Sequence, residues 1–139
     1  MYIDTSVAVK LFTLEPDSQE SESIVADSSL VSSELLYCEL RTALHAKKRN
    51  NLISSPMMAS AWETFEEYLS KKRIRLMAFD NALVREAASV VDRVHPGVSL
   101  RTLDALHLAT FIRMDAGPLF TKDKRTREAA RQLNLPLAG

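Results

Sequence analysis

Short runs of apolar residues alternate along the chain with longer segments whose apolar residues recur every three or four positions. The short runs predict buried strands, and the longer segments predict amphipathic helices. Strands are expected at 1–3, 29–32, 74–79, 119–121 and, as an edge strand, 135–137. Helices are expected at 6–12, 16–26, 33–49, 55–73, 81–94, 99–114 and 124–133. Because helices separate successive strands, the sequence predicts an α/β fold with a central, mostly parallel sheet and helices on both faces.

Capping and breaking residues mark where several of these elements begin and end. Ser6 is a candidate N-cap for the first helix, and Ser55 followed by Pro56 is a strong helix start. Asp80 is a candidate N-cap for the helix at 81–94, and Pro96-Gly97 breaks the chain after that helix. With 139 residues and no visible repeat or linker, the sequence predicts one domain that spans 1–139.

The charge balance and the cysteine count narrow the classes of function. Lys and Arg total 18 and Asp and Glu total 18, so a generally basic nucleic-acid-binding protein is disfavoured, although a local basic patch is compatible. The single cysteine, Cys38, excludes an intramolecular disulfide and fits a reducing cytoplasm. No secretory signal and no membrane-length apolar run is visible, so we expect a cytoplasmic protein without a membrane partner.

Several common catalytic and cofactor motifs are absent from the sequence. The glycines form neither of the glycine-rich phosphate-binding motifs, GxGxxG and GxxxxGK[ST]; they are Gly97, Gly117 and Gly139. The GxSxG motif of serine hydrolases is also missing. The histidines give no pair at the spacing of zinc ligands; they are His45, His95 and His107.

Four acidic residues stand out because they follow a predicted strand or lie among apolar helix residues. They are Asp4, Glu39, Asp104 and Asp123. Asp4 and Asp123 lie at strand ends, where aspartate is also a good helix N-cap. Glu39 interrupts an apolar helix face, where it is exposed, paired with Arg41, or functional. Because the carboxyl ends of parallel strands meet in one crevice, a ligand site is expected there.

Asp104 carries the strongest individual signal of the four. Its predicted helix is apolar nearly all round, which indicates burial, and aspartate is almost never buried without a partner. Asp80 provides a contrast, because it lies between a strand and a helix just as Asp123 does. Position alone therefore does not separate a capping aspartate from a functional one.

The ordered set of segments around these acids resembles the PIN domain family, and most closely the VapC-type toxin ribonucleases of bacterial toxin–antitoxin pairs. The matching segments are Tyr2-Ile3-Asp4-Thr5-Ser6-Val7, Ser33-Glu34-Leu35 leading to Glu39, Leu103-Asp104-Ala105-Leu106-His107-Leu108-Ala109, and Phe120-Thr121-Lys122-Asp123-Lys124-Arg125. The resemblance extends over essentially the whole chain. It implies a PIN-like three-layer α/β/α sandwich and a metal-dependent endoribonuclease.

By this resemblance, the four acids correspond to the acidic cluster of the family: Asp4, Glu39, Asp104 and Asp123. Ser6, with Thr5 as the alternative, corresponds to the polar residue that assists the first acid. Asp80 falls outside the set and is assigned to helix capping. Lys122, immediately before the last acid, departs from the family pattern.

Electrostatics favours a divalent metal ion among these acids. At an effective dielectric constant near 20, two carboxylates about 5 Å apart repel by roughly 3 kcal/mol, so four in one pocket require cations or altered protonation. Mg²⁺ and Mn²⁺ both prefer oxygen ligands. We expect Asp4, Asp104 and Asp123 to hold Mg²⁺ (or Mn²⁺). Glu39 is expected to bind a second ion or to orient the attacking water, whose attack would leave 5′-phosphate and 3′-hydroxyl ends.

Positive charge close to the last acid offers contacts for an RNA substrate. Lys122, Lys124 and Arg125 are the candidate phosphate contacts. The basic runs at 47–49 and 71–73 are more typical of solvated helix ends, where cations complement the helix dipole. His107 is expected to be packed or hydrogen-bonded rather than a metal ligand.

The resemblance also implies protein partners. It predicts a homodimer and a small cognate antitoxin whose C-terminal segment lies over the active-site groove. The antitoxin, rather than this chain, would contact operator DNA.

Two alternative functions remain open from the sequence. A phosphohydrolase with Asp4 as an aspartyl nucleophile would require the DxDxT arrangement, but position 6 is Ser6. A noncatalytic PIN-like protein-binding module would have no need of four mutually repelling acids.

Overall fold

The computed structural model describes residues 1–139 and contains one five-stranded sheet and seven helices. The strands are β1 (Tyr2–Ile3), β2 (Leu30–Ser33), β3 (Ile74–Met77), β4 (Leu119–Phe120) and β5 (Leu137–Ala138). The helices are α1 (Thr5–Phe12), α2 (Ser18–Val25), α3 (Leu35–Arg49), α4 (Ser55–Ser70), α5 (Asn81–Val94), α6 (Thr102–Met114) and α7 (Lys124–Gln132). No helix combines the length with the apolar character that crossing a bilayer demands.

The sheet is parallel throughout, with the strand order β3-β2-β1-β4-β5. β1 lies at its centre, where Tyr2 pairs with Val31 on one side and with Leu119 on the other. Because the strands run in one direction, their carboxyl ends meet at one edge of the sheet. The predicted mostly parallel sheet is confirmed, and the residues that follow β1 and β4 are brought side by side.

Successive residues of the two central strands face opposite sides of the sheet, as the pleat of a strand requires. Tyr2 and Leu119 pack with residues of α5, α6 and α7 in one core cluster. Ile3 and Phe120 pack with residues of α1, α3 and α4 in a second core cluster. The two clusters place helices on both faces, which confirms the expected three-layer α/β/α sandwich.

Three helices begin later than the sequence pattern predicts, and one of them is α2, which begins at Ser18 instead of position 16. α3 begins at Leu35 because Ser33 still belongs to β2, where it pairs with Met77. α6 begins at Thr102 instead of directly after Ser99, since the intervening backbone has not yet become helical. β3 is also shorter than predicted and ends at Met77. These shifts leave the positions of the four acids relative to the sheet unchanged.

The second core cluster yields a test of the packing. Phe65 of α4 is fully buried, and its ring contacts those of Phe12 and Trp62. We expect Phe65→Ala to lower the free energy of unfolding by about 3–5 kcal/mol, because the substitution leaves a cavity in the core. Urea denaturation followed by circular dichroism measures this change.

Met57→Ala on the same helix serves as the control, because Met57 is half exposed. It is expected to change the free energy of unfolding by less than about 0.5 kcal/mol. Equal stability of the Phe65→Ala and Met57→Ala proteins would contradict the description of this core.

Candidate active site

Asp4 lies at the carboxyl end of β1 and is buried, with 6% of the residue exposed. Its Oδ1 accepts hydrogen bonds from the Ser6 hydroxyl at 2.6 Å and from the backbone N–H of Val7 at 3.3 Å. Its Oδ2 accepts a hydrogen bond from the Thr121 hydroxyl. Asp4 is therefore the N-cap of α1, and the prediction that Ser6 caps this helix is wrong. The extended backbone at Asp4 places its own carboxylate over the first turn.

Two hydroxyl groups connect Asp4 to the turn that follows β4. Ser6 donates to Asp4 and accepts a hydrogen bond from the backbone N–H of Lys122 at 2.8 Å. Thr121 also donates to Asp4 and accepts a hydrogen bond from the backbone N–H of Asp123 at 3.1 Å. Each hydroxyl thus uses its single hydrogen on the carboxylate and a lone pair on the turn. Ser6 lies beside the first acid, where the resemblance places it.

Asp123 lies just beyond this turn and combines capping with a place in the acidic site. Its Oδ1 accepts a hydrogen bond from the backbone N–H of Thr126 at 2.7 Å, which makes Asp123 the N-cap of α7. Its negative charge also raises the pKa of Asp104, so the two carboxylates are electrostatic neighbours. Asp123 therefore caps α7 and at the same time lies close to the other acids.

Asp104 lies in the first turn of α6 and has the least satisfied carboxylate of the four acids. Its Oδ2 is enclosed by the protein and has no hydrogen-bond partner. Burial raises the pKa of Asp104 most, and the negative charges of Asp123 and Asp4 raise it further. Burial likewise raises the pKa of Asp4, despite its hydrogen bonds from Ser6 and Thr121. Three acids from separate parts of the chain therefore share one electrostatic environment.

Glu39 of α3 is held differently from the three aspartates. Its Oε2 accepts hydrogen bonds from the Thr5 hydroxyl at 2.5 Å and from Nε2 of His107 at 2.6 Å. Burial raises the pKa of Glu39, but the hydrogen bonds and charge of His107, with Thr5, outweigh burial and leave this pKa below its ordinary value. The alternative pairing with Arg41 is not formed, because Arg41 stacks over the ring of Trp62 at 4.8 Å.

The carboxylates do not form a complete set of metal ligands in this structure. No group of three or more His, Cys, Asp or Glu side chains converges closely enough for one ion. The groups that share this end of the sheet are Asp4, Asp104 and Asp123, with Glu39 bound to His107 at its margin. Their donor atoms are all carboxylate oxygens, and one of these oxygens is buried without a partner. This donor chemistry fits a hard divalent cation such as Mg²⁺ or Mn²⁺.

The basic residues near Asp123 are arranged unequally. Lys122 is 3.1 Å from Glu20 and lies over the ring of Phe120, so its charge is partly compensated. Lys124 is exposed at the start of α7, and Arg125 is half-buried. Of the three candidate RNA contacts, Lys124 and Arg125 are therefore the two whose charges are not compensated by such a neighbour.

Two polar residues of this region were not recognised from the sequence. In the sequence, Thr121 continues the strand predicted at 119–121. Its position two residues before Asp123 is nevertheless a signal that its hydroxyl contacts the acidic site. Tyr2 lies within the apolar β1, and nothing in the local pattern shows that its hydroxyl is 2.8 Å from Nδ1 of His107. His107 was predicted to be packed or hydrogen-bonded, and in the structure it is both buried and hydrogen-bonded.

Comparison with known proteins extends these observations. The chain matches the model of the PIN domain family over residues 1–132. It is 30% identical to Ribonuclease VapC35 of Mycobacterium tuberculosis over 144 aligned residues, which cover 97% of this chain and 93% of that protein. It is 34% identical to Ribonuclease VapC45 of the same species over 113 residues, which cover 79% of this chain and 73% of that protein.

Two solved structures share the fold. The chain superposes with a TM-score of 0.72 on the crystal structure of Mycobacterium tuberculosis VapC20, a sarcin-ricin loop cleaving toxin, at 16% identity and with 92% and 93% of the two chains covered. The TM-score is 0.67 with VapBC2 from Rickettsia felis bound to a DNA fragment from its promoter, at 16% identity and with 98% and 95% covered. The family match spans nearly the whole chain, and the parallel sandwich is shared with both structures. The chain is therefore a member of the PIN domain family, and the curated relatives that it matches are VapC ribonucleases.

Proposed function

We propose that this protein is a metal-dependent endoribonuclease of the VapC type and the toxin of a toxin–antitoxin pair. The observation that carries the proposal is the unpaired, enclosed Oδ2 of Asp104 close to the charges of Asp4 and Asp123. An enclosed carboxylate oxygen without a partner is costly unless a cation offsets it. The VapC ribonuclease names of the relatives support RNA as the substrate.

The acids divide into groups with different tasks in this proposal. Asp4, Asp104 and Asp123 are the residues that would hold Mg²⁺ or Mn²⁺, and Glu39 would bind a second ion or orient the attacking water. A bound divalent ion supplies a water of lowered pKa and charge neutralisation for the phosphoryl oxygens. Glu39 is suited to accept a hydrogen bond from water, because its lowered pKa keeps it ionised at neutral pH.

Other residues of this chain prepare the site for RNA. Ser6 and Thr121 hold the carboxylate of Asp4 in one orientation, so that little reorganisation is required during the reaction. Lys124 and Arg125, with Lys122 when it is released from Glu20, provide positive charge for the phosphates of the RNA backbone. Hydrolysis by water leaves a 5′-phosphate and a 3′-hydroxyl.

The proposed protein partners follow from the same family. A small antitoxin is proposed to cover the active-site groove with its C-terminal segment and to contact operator DNA itself, and this chain is proposed to form a homodimer. The VapBC2 structure supports the pairing with an antitoxin, because it contains a protein of this fold in a complex on promoter DNA. A largely apolar groove of about 430 Å³ lies beside Glu39 and is lined in part by Leu35, Cys38 and Leu103. This groove supports the proposed position of the C-terminal segment of the antitoxin.

The cleavage reaction tests the site assignment directly. We expect Asp4→Asn and Asp104→Asn each to lower the rate of Mg²⁺-dependent RNA cleavage by at least about 100-fold, the scale for loss of one charge-stabilising group at a reaction centre. Cleavage of an end-labelled RNA, with the product ends identified by phosphatase and ligase treatment, measures both the rate and the chemistry.

Asp80→Asn is the matched control for these variants. Asp80 also follows a strand and caps a helix, with Leu83 N–H 2.8 Å from its Oδ1, but it pairs with Arg113 away from the acidic site. This variant is expected to cleave at the wild-type rate. Products that end in 2′,3′-cyclic phosphates, or an Asp4→Asn protein as active as the wild type, would falsify the proposed mechanism.

The raised pKa of Asp104 predicts how stability depends on pH without divalent ions. A carboxyl group whose pKa is raised by folding stabilises the protein below its ordinary pKa, near 4, and this stabilisation is lost as the pH rises through the folded-state value. We expect Asp104→Asn to melt roughly 3 °C above the wild type at pH 7. The difference should vanish as the pH falls toward about 4, where the wild-type carboxyl is itself neutral. Thermal unfolding at several pH values measures this effect.

The control and the metal dependence sharpen this experiment. Asp80 has the opposite shift, because hydrogen bonds from Arg113 and Leu83 lower its pKa, so Asp80→Asn is expected to melt below the wild type at pH 7. Mg²⁺ or Mn²⁺ is expected to raise the melting temperature of the wild type and of Asp80→Asn more than that of Asp104→Asn. Equal stabilisation of all three proteins would contradict a metal site at Asp104.

A further inference from the structure

A buried histidine connects the core of the fold to the acidic site. His107 lies on α6 one turn after Asp104, and 4% of its side chain is exposed. Its Nδ1 is 2.8 Å from the hydroxyl oxygen of Tyr2, and its Nε2 is 2.6 Å from Oε2 of Glu39. Because both ring nitrogens are engaged, the imidazole is fixed in one orientation.

The ionised carboxylate of Glu39 decides which atom donates the hydrogen bond between His107 and Glu39. An ionised carboxylate only accepts, so the contact with Glu39 requires a hydrogen on Nε2 of His107. The Tyr2 hydroxyl can donate one hydrogen bond and can also accept one, so it can serve either role toward Nδ1. A neutral imidazole accepts the Tyr2 hydrogen at Nδ1, and an imidazolium donates from Nδ1 to the Tyr2 oxygen; in both forms Nε2–H is directed at Glu39.

Glu39 is held through one of its two oxygens. Oε2 accepts hydrogen bonds from both His107 and Thr5. Oε1 accepts none from the protein, and it is not one of the enclosed unpaired atoms, so it reaches solvent. The two donors therefore orient the carboxylate and leave one defined oxygen available.

We propose that His107 is a positioning residue of the active site, which holds the Glu39 carboxylate through Nε2–H and keeps Oε1 free for a water molecule or a cation. Tyr2 completes the arrangement by fixing the imidazole ring from the core side. His107 touches neither RNA nor the cation in this proposal, and it acts only through Glu39. The inference rests on the proposed ribonuclease function, because Glu39 has a catalytic task only there.

Substitution of the histidine tests the positioning role. We expect His107→Leu to lower kcat for RNA cleavage by about 10–100-fold, the range for residues that orient the groups around a metal site, with KM for RNA unchanged. His107→Gln should recover most of this loss, because the glutamine amide can donate a hydrogen bond toward Glu39. His45→Leu, at an exposed position of α3, is the control and is expected to retain wild-type activity.

A double-mutant cycle distinguishes positioning from a general structural effect. If His107 acts only through Glu39, then the His107→Leu/Glu39→Gln protein will cleave no more slowly than Glu39→Gln alone. Losses that multiply in the double variant, or full activity of His107→Leu, would overturn the proposal. Melting temperatures of all variants are measured in parallel, and kcat is compared well below the lowest of them.

NMR of the imidazole nitrogens provides a readout that needs neither metal nor activity. Long-range ¹H–¹⁵N spectra of the wild type are expected to show a hydrogen on Nε2 of His107, with a resonance that moves in Glu39→Gln. A bare Nε2 in the wild type would overturn the proposal without any variant. A wild-type protein that fails to cleave RNA with Mg²⁺ would refute the proposed function instead, and the hydrogen bond between His107 and Glu39 would then be decided by NMR alone.

Discussion

The carboxylate of Asp4 is the point on which the arrangement of this site depends. It ends the central strand, caps the following helix and receives the hydroxyl hydrogens of Ser6 and Thr121. Those hydroxyls also accept hydrogen bonds from the turn that carries Asp123, so one buried acid sets the position of another. The hydrogen bonds offset part of the cost of burying a carboxylate. Without these hydrogen bonds, the residues that follow β1 and β4 would be held together only through the two residue pairs of the β1–β4 ladder.

The acids show how one fold assigns different electrostatic states to similar groups. Burial raises the pKa values of Asp4 and Asp104. The pKa of Glu39 instead lies below its ordinary value, because His107 and Thr5 donate hydrogen bonds to its carboxylate. An unpaired enclosed oxygen at Asp104 reduces the stability of the free protein. Such a cost is typical of functional sites, where residues are arranged for a ligand at the expense of the fold alone. The unpaired oxygen therefore distinguishes Asp104 from Asp80, whose two carboxylate oxygens accept hydrogen bonds from Leu83 N–H and Arg113.

Much of the fold could be predicted from the sequence because its strands and helices alternate with clear hydrophobic periods and strong caps. The residues that share a sheet edge follow from parallel pairing, so the grouping of Asp4 with Asp123 could be predicted, whereas the strand order comes from the structure alone. The hydrogen-bond partners of the individual side chains could not be predicted in the same way. The cap of α1 was misplaced because Asp4, Thr5 and Ser6 are all competent N-caps, and only the backbone angles at Asp4 decide among them. The bond between Tyr2 and His107 joins residues 105 positions apart and leaves no local trace in the pattern.

Because β1 lies at the centre of the sheet, the acidic site can form only late in the synthesis of the chain. β1 is synthesised before the other four strands but lies in the middle of the sheet, and Tyr2 can pair with Leu119 only after the residues between them have been made. Thr121 lies 117 residues from the Asp4 carboxylate that it binds. Such distant contacts form late, because the entropy of closing long loops must be offset before they stabilise the structure. An interrupted chain that ends before β4 lacks both the partner strand and the second acidic turn, so the acidic site can form only after β4 and the turn that follows it have been synthesised.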